Sequence, residues 1–421
     1  MLLAVPLLLL AIPSSLQAIP LDRQLPFPAN SVRPTRPTLL DIAATLPSDQ
    51  HAALVSHIQS LPERRIIALS PDHSIDISEG EKALFTLAGI RFIDITETAS
   101  LASDTAFSPV AAPDNTGRQP LPIKFTYGKE TLEHDYYRHI DTHRMRTWLE
   151  KFTSFKTRYY RSETGKQSQR WLLNTVSSIA LAKKSLNMTV REFPHPWGQN
   201  SIIATLPIGS RDGKKSKGKV IIGAHQDSTN LLPFLSAPGA DDDGSGTITV
   251  LEVLHTLVNV SFVPTSYDIE FHFYSAEEGG MLGSNAIASD YLTRYRAGNE
   301  NGIRGMLQMD MTAYVKPGTS ERIGVIQDFV DPELTGWING LIGEYCDIPS
   351  VSTKCGYACS DHSAWTRIGV PSAFAIEATF ADSNTGHIHS SGDTIDVPGF
   401  SFDHMKQFVK LATAFVLELA E

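Results

Sequence analysis

From about residue 123 onward the chain alternates amphipathic stretches with short apolar runs, and four of those runs deliver His, Asp or Glu at their ends. Residues 219–224 (KVIIGA) run into His225, and residues 267–276 (YDIEFHFYSA) run into Glu277 and Glu278. Residues 305–309 (GMLQM) run into Asp310, while 372–378 (SAFAIEA) lead to a loop holding His387 and His389. Helices alternating with buried strands are the pattern of an α/β unit on a mostly parallel sheet. In such open sheets, ligands sit outside the carboxyl ends of the strands, where the loops converge on one crevice. The expected fold is a single globular α/β domain. Its central sheet is twisted, mostly parallel and flanked by helices, with a metal site at the strand C-terminal ends.

The metal follows from charge. The loop PGADDDGSG places Asp241, Asp242 and Asp243 ahead of a helix predicted over 247–260, where Ile248, Leu251, Leu254 and Val258 recur at helical spacing. Carboxylates suit a helix N-terminus, but three in succession repel one another unless something positive is near. A divalent cation would answer that. Two imidazoles and several carboxylates, without a thiolate, suit zinc, or less commonly cobalt or manganese, and two ions can share one bridging carboxylate. Adjacent residues at a strand end point in different directions, so of Glu277 and Glu278 one can bind metal while the other moves protons. His225-Gln226-Asp227 offers a carboxylate to orient a ligating imidazole. His255, within the predicted helix, and His272, within a strand, read as structural. One strand-end acid is most often a cap or an exposed charge; five such positions in one layer are a site.

Composition narrows the partners. The formal charge is -10, from 36 basic and 46 acidic residues, and the densest basic run is KKSKGK at 214–219, which argues against nucleic acid. The longest apolar stretch, residues 2–12, is shorter than the roughly 20 residues a membrane span needs, so no membrane partner is expected. Residues 1–18 resemble a secretory signal peptide cleaved after Ala18. Secretion to the extracellular space, with a vacuole as the alternative, would let disulfides persist and make Asn187 and Asn259 glycosylation sites. Residues 19–95 carry no recognisable chemistry, though helices are predicted near 50–61 and after a Ser78/Glu81 capping box. Residues 96–122 turn to Ser, Thr, Ala, Pro and Asp, the chemistry of an exposed linker. The expected organisation is a signal peptide at 1–18, a pro-region and linker at 19–120 and a catalytic domain at 121–421. A permanent accessory domain is the alternative for the second segment.

The motifs GAHQDS, PGADDDGSG, SAEEGGMLGS, QMDMTAY, CGYACSDHSAW and HIHSSGDT resemble, in that order, those of metallopeptidase family 28, of the secreted fungal and bacterial leucine aminopeptidase type. The resemblance covers roughly residues 140–421. It implies two Zn2+ ions per chain, one held by His225 and Asp310, the other by Glu278 and His389, with Asp242 bridging them. It also implies Glu277 as general base, Asp227 as the group orienting His225, and a cis peptide bond after Asp242. A short disulfide between Cys355 and Cys359 would shape a substrate pocket near Met311, Tyr357 and Ile388, leaving Cys346 as a buried thiol. The implied reaction is attack of a metal-activated water on the first peptide bond of a substrate with a free N-terminus, releasing an apolar, Leu-like residue. Nothing points to an obligate partner, so a monomer is expected. Two other readings share this fold: a single-zinc glutaminyl cyclase-like transferase, and a receptor-like relative without catalysis. The complete ligand set favours the aminopeptidase.

Overall fold

The computed structural model describes residues 39–70, 73–97, 120–209 and 215–421. The expected signal peptide and most of the expected linker lie outside them. Residues 39–97 hold α1 (Leu39–Ala44), α2 (Ser48–Ser60), β1 (Arg64–Ser70), β2 (His73–Ser78), α3 (Lys82–Leu87) and β3 (Ile93–Asp94). Their strands pair antiparallel in the order β2-β1-β3, and Leu54, Ile67, Ile77, Leu84 and Phe85 form a small core. The capping box is formed: the Ser78 amide donates to Glu81 Oε2 at 2.5 Å and the Glu81 amide donates to Ser78 Oγ at 3.2 Å. The sequence alone marks no hairpin here: the Pro-Asp pair between RRIIALS and HSIDIS favours a turn but is not the Asn-Gly or Asp-Gly pair that marks a tight hairpin.

The larger part runs through α4 (Lys129–Asp135), α5 (Thr142–Thr153), α6 (Glu163–Leu181), β4 (Thr189–Phe193), β5 (Ser201–Leu206), β6 (Gly218–His225), α7 (Gly246–Asn259) and β7 (Asp268–Tyr274). It continues through α8 (Leu282–Arg296), β8 (Gly302–Met309), β9 (Ile323–Ile326), α9 (Pro332–Tyr345), β10 (Ser350–Thr353), α10 (His362–Arg367), β11 (Ser372–Ile376) and α11 (Phe402–Ala420). Eight strands form one sheet in the order β10-β9-β11-β8-β6-β7-β5-β4. The central β11, β8, β6 and β7 are mutually parallel, whereas β5 and β4 add antiparallel at one side.

The central strands read as continuous apolar runs because both faces are covered. Val220, Ile222, Phe271, Phe273 and Leu307 enter the core shared with α7 and α11; Ile221, Tyr274 and Met306 point the other way, onto α8 and α10 through Ile287, Tyr291 and Trp365. The alternation is the period-two geometry of a strand. From β6 the chain passes to β7 on one side and then to β8 on the other, so the loops after these strands diverge around a crevice beside His225.

Candidate active site

All six residues expected to hold metal or move protons converge on that crevice. His225 ends β6; Glu277 and Glu278 follow β7; Asp310 follows β8; His389 lies in the loop between β11 and α11; Asp242 precedes α7. Asp242 stands at the centre. Its Oδ1 lies 3.1 Å from His225 Nε2 and its Oδ2 lies 3.1 Å from His389 Nε2. Asp310 Oδ1 is 3.7 Å from His225 Nε2, and Glu278 Oε2 is 3.0 Å from His389 Nε2. Two sets of candidate ligand atoms result, each within 4.8 Å of one another: His225, Asp242 and Asp310, and Asp242, Glu278 and His389.

Local structure explains how the loops reach these positions. The peptide bond between Asp242 and Asp243 is cis. Both carboxylate oxygens of Asp393 accept from the backbone, Oδ1 from Asp241 and Oδ2 from Asp242, each at 3.0 Å. Asp243 ties three elements together, accepting from the amides of His225 at 3.1 Å, Gly246 at 2.8 Å and Met311 at 3.1 Å. Gly246 is required there, since a Cβ would stand 2.3 Å from both Asp243 Oδ1 and the Met309 carbonyl. Ala276, Met311 and His389 adopt positive φ values of 59°, 55° and 55°. Left-handed backbone at non-glycine residues is costly and gathers at functional sites.

Asp227 does more than was expected of it. Its carboxylate lies 3.5 Å from His225 Nδ1, and its own carbonyl is nearer, at 3.2 Å. The carboxylate also accepts the amides of Glu277 at 3.0 Å and Glu278 at 3.2 Å, fixing the pair of glutamates. Ser360 Oγ donates to Asp310 Oδ2 at 2.6 Å. These supports were invisible as a pattern because their partners lie 50 residues or more apart in the chain.

The electrostatics call for a cation. Burial disfavours the His225 imidazolium, yet Asp310, Asp227 and Asp242 raise this imidazole well above its ordinary value. Burial likewise opposes charge on His389, but Glu278 and Asp242 push it up to about 10. Glu277 is raised well above a usual carboxyl by burial and by Glu278, Asp361 and Asp310, against the pull of His225. Glu278 is raised by burial and by Asp242, against His389, and among the described residues its buried Oε1 has no hydrogen-bond partner. Excess carboxylate facing imidazole nitrogens, with an orphaned carboxylate oxygen, fits borderline divalent metals such as zinc.

The same crevice opens into a pocket. Met311, Tyr357 and Ile388 line it as expected, with Phe374, Ile376 and Phe380 completing an apolar wall. Cys355 and Cys359 are joined by a disulfide on its rim, and Cys346 is a buried free thiol. One contribution escaped the sequence: the loop between α3 and β3 also lines the pocket, through Gly89, Ile90, Arg91 and Phe92. Of the other histidines, His272 pairs with Glu270 at 2.9 Å and His255 packs edge-on against Trp148, both structural as expected. His362 is buried against Phe374.

Known proteins give the chain its family. Residues 202–415, from β5 into α11, match the model of Peptidase family M28. Leucine aminopeptidase 1 of Pyrenophora tritici-repentis is 44% identical over 384 residues, covering 88% of this chain and 93% of that protein. The crystal structure of Legionella pneumophila LapA aminopeptidase superposes with a TM-score of 0.71 at 26% identity, covering 87% of this chain and 96% of LapA. Porphyromonas gingivalis glutaminyl cyclase shares the fold alone, with a TM-score of 0.50 at 16% identity over 66% of this chain and 99% of that one. With its strand-end ligand sets in place, the chain belongs to peptidase family M28 and is a metallo-aminopeptidase.

Proposed function

We propose that this chain is a secreted, dinuclear zinc aminopeptidase, made as a zymogen, that releases Leu-like apolar residues from peptides with free N-termini. The observation that carries the two-metal reading is Asp242, whose two carboxylate oxygens each face a different imidazole at 3.1 Å. His225 and Asp310 would hold one zinc, Glu278 and His389 the other, and Asp242 both. When bound, zinc supplies acidification of water and Lewis-acid polarisation of the scissile carbonyl.

The remaining chemistry belongs to the chain. Glu277, half-buried and with its proton affinity raised, takes a proton from the attacking water and delivers it to the leaving amine. Asp227 holds the Glu277 backbone in register for that transfer. The apolar wall of Met311, Phe374, Ile376, Phe380 and Ile388 receives the first side chain, which fits the leucine in the names of the fungal relatives.

Residues 19–120, which include the module at 39–97, act as a removable pro-region and linker on this reading. In that module, the α3–β3 loop lines the pocket proposed here to receive the substrate. Glu79 anchors it: Tyr160 donates to Glu79 Oε1 at 2.5 Å and Arg161 Nε lies 3.1 Å from the same atom. Lys82 Nζ donates to the carbonyl of Gly279, next to Glu278, at 3.0 Å. Secretion is supported by residues 1–18 and by the disulfide. Both Asn187 and Asn259 are exposed, as glycosylation requires. We expect a monomer.

The test pairs zinc content per chain with rates on a panel of aminoacyl p-nitroanilides, with and without a chelator. Two zinc ions, fastest release of Leu and loss of rate on chelation are expected. One zinc with cyclisation of N-terminal Gln would favour the glutaminyl cyclase reading, and activity confined to N-blocked substrates would overturn the exopeptidase.

A further inference from the structure

Arg158, between α5 and α6, is fully buried. Among the described residues its guanidinium makes no hydrogen bond to a carboxylate. Nε donates to the Gln226 carbonyl at 2.9 Å, Nη1 to the Pro238 carbonyl and Nη2 to the Gly239 carbonyl at 2.8 Å. Its backbone amide donates to Ser228 Oγ at 3.0 Å, and that hydroxyl donates onward to the Ala237 carbonyl at 2.8 Å. The ring of Phe152 lies 4.2 Å beneath the guanidinium carbon.

These acceptors come from two loops that matter. Gln226 follows His225 directly, and Pro238 and Gly239 lead into the turn that carries Asp242. Gly239 has φ of 55°, and a Cβ there would stand 2.9 Å from Arg158 Nη2 and 2.6 Å from the Asp242 carbonyl. Backbone, guanidinium and acidic turn are in close contact at one point. A planar fork of fixed geometry can hold several carbonyls in a set arrangement, which a flexible ammonium cannot. The buried positive charge also sits among Asp393, Asp243, Asp227 and Asp242, whose repulsion it offsets.

We infer that Arg158 is a positioning residue for hydrolysis: it staples the His225 loop to the Asp242 turn and thereby sets the separation of the two ligands. The inference rests on the reading that His225 and Asp242 hold zinc. It assigns a role to a residue that touches neither metal nor substrate.

The test compares the full chain with Arg158→Lys, which keeps the charge and loses the fork, and with Ser228→Ala, which loosens the same junction. Zinc retention is titrated against a colorimetric chelator, and the visible absorption of the cobalt-loaded chain reports ligand geometry. Loss of an outer partner of a metal ligand typically costs about 10–100-fold in metal affinity or activity. We expect Arg158→Lys to lose zinc at roughly tenfold lower chelator, with altered cobalt bands and an unchanged circular dichroism spectrum, and Ser228→Ala to fall between. A folded Arg158→Lys with wild-type retention and cobalt bands would overturn the inference. If Arg158→Lys does not fold, wild-type behaviour of Ser228→Ala overturns it. A wild-type chain that binds no zinc would sink the proposed metal site as well, whereas a two-zinc wild type matched by Arg158→Lys sinks the staple alone.

Discussion

The Arg91 guanidinium, carried by the N-terminal module, lies 5.5 Å from the centre of the Tyr357 ring inside the pocket of the catalytic part. Burial opposes its charge, but Tyr357, Glu278, Asp242 and Glu277 hold it cationic. A cation over an aromatic face contributes about 0.5–2 kcal/mol. The full chain should therefore hydrolyse Leu-p-nitroanilide slowly, and proteolytic removal of the module should raise kcat/KM by about tenfold or more. Arg91→Ala should recover part of that gain without cleavage. Rates before and after proteolysis, with N-terminal sequencing of the secreted protein, check this. A fully active enzyme beginning at Ile19 would show the module to be permanent.

Glu277 and Glu278 are chemically identical neighbours with different expected roles. Glu277→Gln should keep both zinc ions and lose about 10²–10⁴-fold in kcat with KM little changed, because an amide cannot accept the proton. Glu278→Gln should weaken one zinc site and lower metal content at limiting zinc. Metal content measured beside kcat decides; loss of zinc from Glu277→Gln with two ions retained by Glu278→Gln would reverse the assignment.

Burial alone would raise the Glu79 carboxyl, but Lys82, Arg161, Tyr160 and Arg65 bring it down from 4.5 to about 2. A carboxyl depressed in the folded state stabilises that state above its unfolded value and loses the effect as pH falls through the folded one. Glu79 should thus lend about 3 kcal/mol in full above pH 4.5, fading toward pH 2. Thermal melts of the full chain and of Glu79→Gln should differ most at neutral pH and converge near pH 2. A constant difference across that range would contradict the anchor. Mild acid alone should not free the pocket.

Cys355 and Cys359 are only four residues apart in sequence. Closing so short a loop removes little unfolded-state entropy, about 2 kcal/mol or less. Reduction should raise KM, since both sulfurs line the pocket, more than it lowers Tm. Burial lifts the Cys346 thiol to about 12, so it should resist alkylation in the native protein. Mass mapping that finds Cys346 bridged to either partner would sink this pairing.

Much of the site was legible because its residues sit where a local signal ends: an apolar run stops and an acid or imidazole follows, as at His225, Glu277 and Asp310. The central strands were legible for the same reason, being buried on both faces. Edge strands were harder. TVREF of β4 leaves two of its five residues half-buried and three exposed, and has no continuous apolar run. Arg158 and Arg91 were missed for another reason. Each works on partners more than 60 residues away, and an isolated arginine carries no periodicity to mark it.

Asp227 carries a consequence for descent. One carboxylate holds the backbone of both Glu277 and Glu278 and stands beside the His225 ring, so a single codon change there would disturb base, ligand and imidazole together. Loss of activity on this fold is then one mutational step, whereas its recovery demands the same acid at the same position. A lineage that keeps the sheet and abandons peptide hydrolysis would therefore be easy to enter.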